Sequence, residues 1–235
     1  MNSFMTNGLN NISHPLQVNN FQALISTPFH GTTNAISWSR DLEGDFEEIV
    51  NAIAFEGTML EIDEEDLLAL ELSEAGSIAR ETILSDFRSL SELGASPVLN
   101  IIANYEADEH PFFPTDVYSF HVDRSPIATD TFLCTYYGDA SELISNEHAI
   151  QKIQIPEIRK KLREEFTGDE ADFEDYLIEN FYDLHYEVIT EGKEINLGIG
   201  HLLRLAVDHP ESKVLPCVHR APKETSGKKR LLLIC

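Results

Sequence analysis

The pair His121 and Asp123, in the run Phe120-His121-Val122-Asp123, has the residue types and spacing for metal chemistry. On a strand, residues i and i+2 point to the same face, so the two side chains project together at a separation that one cation can span. A neutral imidazole and a carboxylate suit a divalent ion such as Fe(II). A third ligand from a distant strand would complete a triangular face and leave three coordination positions open, the two-histidine, one-carboxylate arrangement of non-haem iron sites. His219 is placed for that role. It ends the apolar run Val214-Leu215-Pro216-Cys217-Val218 and precedes Arg220-Ala221-Pro222, where a strand would meet a turn. Taken alone, H-x-D recurs by chance in many chains, and its bland reading is a surface ion pair at a strand end.

A second feature follows. After a turn at Ser226-Gly227 comes Lys228-Lys229-Arg230-Leu231-Leu232-Leu233-Ile234. A cation opening an otherwise apolar strand needs a reason, because an unpaired buried charge is costly. A bidentate carboxylate is such a reason; a solvated basic patch at the strand entry is the plain alternative. Arg230 and Lys229 would point to opposite faces, and either could anchor an acid.

Other side chains belong to the same expectation. Ser119 should share the face of His121 and could hydrogen-bond a substrate or co-substrate, with Tyr118 beside it. Asn100 and Asn104 share one face of an apolar strand and, if buried, need partners. Thr135 with Tyr137, or Cys134 with Tyr136, should line one side of the next strand. Cys217 should share the face of His219, as a small apolar group. His185, His201 and His209 lack metal-ligand spacing and read as core or surface residues.

The order H-x-D, a distant histidine, then an arginine early in the next strand resembles the Fe(II)/2-oxoglutarate-dependent oxygenase superfamily. More closely, the chain resembles an uncharacterised bacterial family (domain of unknown function eighteen twenty-six). The segments that carry this are Trp38-Ser39-Arg40, Phe120 to Asp123, Leu133-Cys134-Thr135-Tyr136-Tyr137-Gly138, Val218-His219-Arg220-Ala221-Pro222 and Arg230-Leu231-Leu232-Leu233. The resemblance implies His121, Asp123 and His219 as iron ligands. It implies Arg230 as the anchor for 2-oxoglutarate, a role that Lys229 could take instead; Asn104 and Ser119 are, by their strand positions, further candidate co-substrate contacts, with a structural hydrogen bond the equal alternative for Asn104. It also implies a double-stranded β-helix.

The elements that must position these groups alternate in type. Residues 1–36 read as an irregular lead-in, ahead of a single domain over 37–235. Ser39-Arg40-Asp41 opens a helix that carries Phe46, Ile49, Val50 and Ile53 on one face and stops at Gly57. Residues 61–73 give no clear signal. Ile78, Ile83, Phe87, Leu90 and Leu93 make a second helical face, closed by Gly94. Strand signals follow at 97–105, 117–123 and 131–137. Residues 140–185 read as a helical insertion and would serve as a lid. Strands return at 186–190, 195–207, 214–219 and 230–235, with Gly198 and Gly200 as interruptions. Strands not regularly separated by helices argue against a doubly wound parallel sheet and suit an α+β fold, a jelly-roll-like double-stranded β-helix under a helical layer of residues 37–95.

Composition limits the partners. With 41 acids against 17 bases and a net charge of −24, the surface repels phosphate backbones, which speaks against nucleic acid and anionic membranes. The excess acid leans towards cationic or neutral substrates. No apolar run approaches the roughly 18 residues of a membrane helix. Cys134, Cys217 and Cys235 are too few and too scattered for a disulfide framework, which suits a reducing, cytoplasmic setting. No phosphate-binding glycine loop or G-x-S-x-G occurs. The expectation is an Fe(II)- and 2-oxoglutarate-dependent dioxygenase acting on a small-molecule or peptide substrate. A cupin-like metalloprotein without 2-oxoglutarate and a non-enzymatic acidic binding module are the alternatives.

Overall fold

Local signals set the first elements. The computed structural model describes residues 15–110, 112–223 and 227–235. Strand β1 (Leu16–Val18) and helix α1 (Phe21–Ser26) precede β2 (Ala35–Trp38). The part of the expected irregular lead-in that is described, residues 15–36, is therefore built into the fold; residues 1–14 lie outside the described residues. Helix α2 (Phe46–Ala52) starts later than the expected Ser39-Arg40-Asp41, because the Asp45 carboxylate caps it by accepting from Glu48 N. The ambiguous stretch 61–73 divides between β3 (Met59–Ile62) and α3 (Glu64–Ala69), which opens on a capping box between Asp63 and Asp66. Helix α4 (Glu74–Glu92) is capped by Ser73.

Next come β4 (Val98–Ile102), β5 (Asp130–Tyr137), β6 (Glu142–Ile144) and β7 (Ala149–Gln151). Helices α5 (Pro156–Glu165) and α6 (Phe173–Glu179) lead to β8 (Tyr186–Val188), β9 (Ile195–Asn196), β10 (Leu202–Ala206), β11 (Val218–Arg220) and β12 (Arg230–Ile234). The expected helical insertion over 140–185 is thus corrected: residues 142–144 and 149–151 form strands, with a 3-10 turn at Asn146–His148 between them, and α5 begins only at Pro156. The expected strand over 117–123 is corrected too. Residues 117–119 turn, and in that segment only His121 bridges to neighbours.

The fold is a mixed α+β arrangement with a large, mostly antiparallel sheet. The strand order is β1-β2-β10-β5-β12-β4-β3, with β1 and β2 parallel. A second sheet runs β11-β6-β9, and β7 pairs with β8. Alternation along each strand sends one set of side chains to each face. On one face Cys134 and Tyr136 of β5 and Leu231 and Leu233 of β12 pack against Ile49 of α2, Leu67 of α3 and Ile83 of α4. On the other face Leu133, Leu203, Leu205 and Leu232 meet Leu143 of the second sheet and Leu197 and Cys217, which adjoin its strands β9 and β11. The layers are helices, large sheet, small sheet. Among the described residues no helix is long and apolar enough to cross a membrane.

A buried ion pair fastens the helical layer to the sheet. Both terminal nitrogens of Arg40 lie 2.7 Å from the Asp86 carboxylate on α4, and Arg40 Nε donates to Gly200 O. The Tyr136 hydroxyl donates to the same carboxylate at 2.7 Å. Burial disfavours the Arg40 charge, but the Asp86 hydrogen bonds and charge outweigh it and raise its pKa. Asp86→Ala strands this cation and is expected to cost about 3–5 kcal/mol of unfolding free energy. Tyr136→Phe, which removes one hydrogen bond, is expected to cost about 1 kcal/mol. Urea denaturation checks both; equal, small losses would mean that the pair does not hold the layers together.

Candidate metal centre

The expected ligands do converge. His121 and His219 face each other as a hydrogen-bonded antiparallel pair: each backbone N–H donates to the other's carbonyl at 2.9 Å. Side chains of such a pair lie on the same face, so the two imidazoles are neighbours, with ring centroids 4.7 Å apart. Phe120, Val122 and Val218 take the opposite face and pack with Ile144 against Leu184, Tyr186 and Val188. Asp123 returns to the histidine side, as the i+2 rule requires. Its Oδ2 lies 3.7 Å from His219 Nε2. One donor atom from each of His121, Asp123 and His219 falls within 4.8 Å of the other two.

Hydrogen bonds also orient the imidazoles. His121 Nδ1 lies 2.8 Å from Ser119 O, and His219 Nδ1 lies 3.1 Å from Cys217 O. A carbonyl only accepts, so each Nδ1 carries a hydrogen, and Nε2 is the nitrogen that each neutral imidazole would offer to a cation. This is the outer contact that metal-binding histidines ordinarily make. Burial, helped by the neighbouring His219, pushes His121 down to about 4, so it is neutral near pH 7. Burial works against the Asp123 charge, but His219 and the Thr131 hydroxyl, which donates to Asp123 Oδ2 at 2.5 Å, hold its carboxyl below the usual range. Two imidazoles and one carboxylate are a donor set that suits a divalent first-row ion. The site opens on a cavity of about 750 Å³ lined by His121, Asp123, Arg124, Pro126, Phe181, Leu184, His209 and Pro210, among others.

The further expected contacts divide. Arg230 is 1% exposed and lies on the face of β12 that carries Leu232, towards the second sheet. Its Nη2 donates to Thr135 Oγ1 at 2.9 Å and to Ser141 Oγ at 2.7 Å. Gly138 allows this: its φ is +88°, and a Cβ there would sit 2.7 Å from Lys229 O and 2.9 Å from Arg230 Cα. Lys229 points the other way, its ammonium 4.7 Å from the Phe55 ring centre. Asn104 is exposed, donating to Tyr105 O, whereas Asn100 is buried.

Ser119 corrects an expectation. Because the chain turns at 117–119, its hydroxyl does not join the ligand face by strand alternation; it accepts from Lys152 Nζ at 2.7 Å, while its carbonyl holds His121. Ser119, Tyr118, Asn104 and Lys152 line a separate cavity of about 820 Å³ that touches none of the three ligands. Thr135 lies towards the second sheet, and Cys134 and Tyr136 towards the helices. Cys217 is buried, its thiol pushed up by desolvation. His201 Nδ1 lies 3.4 Å from Ser39 Oγ, and His209 lines the triad cavity.

Sequence reading missed Thr131, Ser141 and the placement of His185. Thr131 carried a signal, a hydroxyl in phase with Leu133 and Thr135 on an apolar strand. Ser141 and His185 carried none. The His185 ring centre lies 5.9 Å from that of His121, and burial pushes it down to about 3. In comparisons with known proteins, the chain matches no family model, no curated protein and no solved structure.

Thr131→Val keeps the shape and removes the hydroxyl that orients Asp123. It is expected to weaken Co(II) binding about tenfold or more, read by competition with a chromophoric chelator. Unchanged affinity would mean that Asp123 is oriented without Thr131.

Proposed function

We propose that this protein is a non-haem Fe(II)- and 2-oxoglutarate-dependent oxygenase on a double-stranded β-helix. The observation that carries the reading is the His121–His219 pair, with both Nδ1 atoms on backbone carbonyls, His219 Nε2 3.7 Å from the Asp123 carboxylate and one donor atom of each of the three residues within 4.8 Å of the others. Strand order supports the barrel. In chain order β4, the His121 segment, β5, β6, β9, β10, β11 and β12 fall in the large, small, large, small, small, large, small and large sheet. That alternation across two facing sheets is what an eight-stranded jelly roll needs.

The residues fit the group that they would hold. His121, Asp123 and His219 would bind the iron by one face and leave positions for a chelating keto acid. Bound iron and 2-oxoglutarate supply the redox chemistry: O₂ is reduced, the keto acid is decarboxylated to succinate, and a substrate C–H bond is oxidised. The chain supplies position and charge. Arg230, with the Thr135 and Ser141 hydroxyls, offers donors for a distal carboxylate. Fe(II), Asp123 and Arg230 together carry a net charge of two positive, which balances a dianionic keto acid. Leu133, Leu143, Leu203 and Leu232 keep the space between the sheets apolar. The triad cavity is the way in for substrate.

Anaerobic titration of metal-free protein with Fe(II), then 2-oxoglutarate, tests this. A weak visible charge-transfer band is expected in the wild type, absent in His219→Ala, strongly reduced in Arg230→Met and kept in Lys229→Met. Stoichiometric iron without the band would favour a metalloprotein that does not use 2-oxoglutarate. No bound metal would end the oxygenase reading.

A further inference from the structure

Phe181 is held in a conformation that does not suit it. Its φ is +59° and its ψ 14°, and it is the only non-glycine residue with positive φ among the described residues. It directly follows Asn180, the C-cap of α6. A helix that turns into the left-handed region at this point ordinarily places glycine or asparagine there. A bulky side chain in that region is strained. The ring gains little from its own chain in return, being 61% exposed.

The surroundings fix this conformation. Leu177 and Tyr182, on either side, are buried and anchor the turn. Phe181 N donates to Ile178 O at 3.0 Å, and Leu184 N donates to Phe181 O at 3.1 Å. Asp183, two residues on, pairs with Arg124, the neighbour of Asp123. This tie holds the turn against the H-x-D segment, and Phe181 lines the same cavity as His121 and Asp123. Pro126, Pro210 and Leu184 supply more apolar wall. The cavity volume of about 750 Å³ is that of a small-molecule site.

We infer that Phe181 is a substrate-binding residue, an aromatic platform that stacks on a planar apolar group of a small substrate whose reacting carbon is presented to the triad. Backbone strain and an exposed ring are both unfavourable for folding alone, and one bound planar group accounts for both. The inference rests on the metal reading above and adds a substrate class to it.

The test uses Co(II)-loaded protein and two probes, imidazole and 4-phenylimidazole, followed by changes in the cobalt visible spectrum. Wild type should prefer 4-phenylimidazole, and Phe181→Asn should lose about five- to tenfold of that preference, as expected for one lost ring–ring contact. Imidazole affinity should not change, and Phe181→Tyr should keep the preference. Phe181→Asn should also melt at or above the wild-type Tm, since asparagine tolerates positive φ. If cobalt binds but the preference survives in Phe181→Asn, the platform is wrong and the metal centre stands. A Tm several degrees lower would show that the ring serves folding, and would overturn the inference. If cobalt does not bind, the metal reading fails and takes the platform with it.

Discussion

Two backbone hydrogen bonds between His121 and His219 hold the rest of the site in place. They set the register of a short segment that pairs with β11 on one side and with residues 184–186 on the other. Because side chains alternate with period two, a slip of this segment by one residue would exchange His121 and Asp123 with Phe120 and Val122 between its two faces. Each of those apolar groups is worth about 1.5–3 kcal/mol when fully buried. The cluster that they form with Ile144, Leu184, Tyr186 and Val188 therefore fixes the register, and the register fixes the ligands. The convergence of these three polar side chains has no apolar driving force of its own; it depends on the apolar face of the same segments.

Strand β5 carries the same logic through the large sheet. Its inward side chains, Thr131, Leu133 and Thr135, run from the Asp123 carboxylate to the Arg230 guanidinium. Its outward side chains, Phe132, Cys134 and Tyr136, belong to the core under the helices. The helices thus hold β5 flat on one face while the other spans both ends of the site. A cation in such an apolar strand needs neighbouring acceptors, and the Thr135 and Ser141 hydroxyls supply two. Lys229, one residue earlier, falls on the helix side by the same alternation, which settles the direction of each cation without any reference to what binds there.

Alternation and spacing made much of this legible in the sequence. The i, i+2 relation placed His121 with Asp123, and the apolar runs marked β4, β5 and β12. What was hidden lacks periodicity. The turn at 117–119 depends on Asp108 and Asp116, whose carboxylates accept from the backbone amides of His110, Thr115, Tyr118 and Ser119. Such side-chain-to-backbone bonds compete with a strand wherever Asp is nearby, and they moved Ser119 off the ligand face. Strands β6 and β7 have three residues each, too few to show a pattern, and pairing partners far along the chain define them. Phe181 could not be read at all, because nothing in Glu179-Asn180-Phe181-Tyr182 marks a left-handed residue.

The acidic composition, read as a hint about substrates, acts differently around the site. Asp108 and Asp116 are engaged in bracing a loop. Asp183 and Asp208 both pair with Arg124. Asp86 pairs with Arg40, and Glu142 with Arg220. Near the triad the acids are therefore structural partners, and the wall that a substrate would meet is largely Pro126, Phe181, Leu184 and Pro210. Net charge governs the long-range field of the molecule and what it repels. Selectivity at the cavity follows from the few groups within contact distance, and here apolar and aromatic side chains stand beside Asp123, His209 and the Arg124–Asp208 pair.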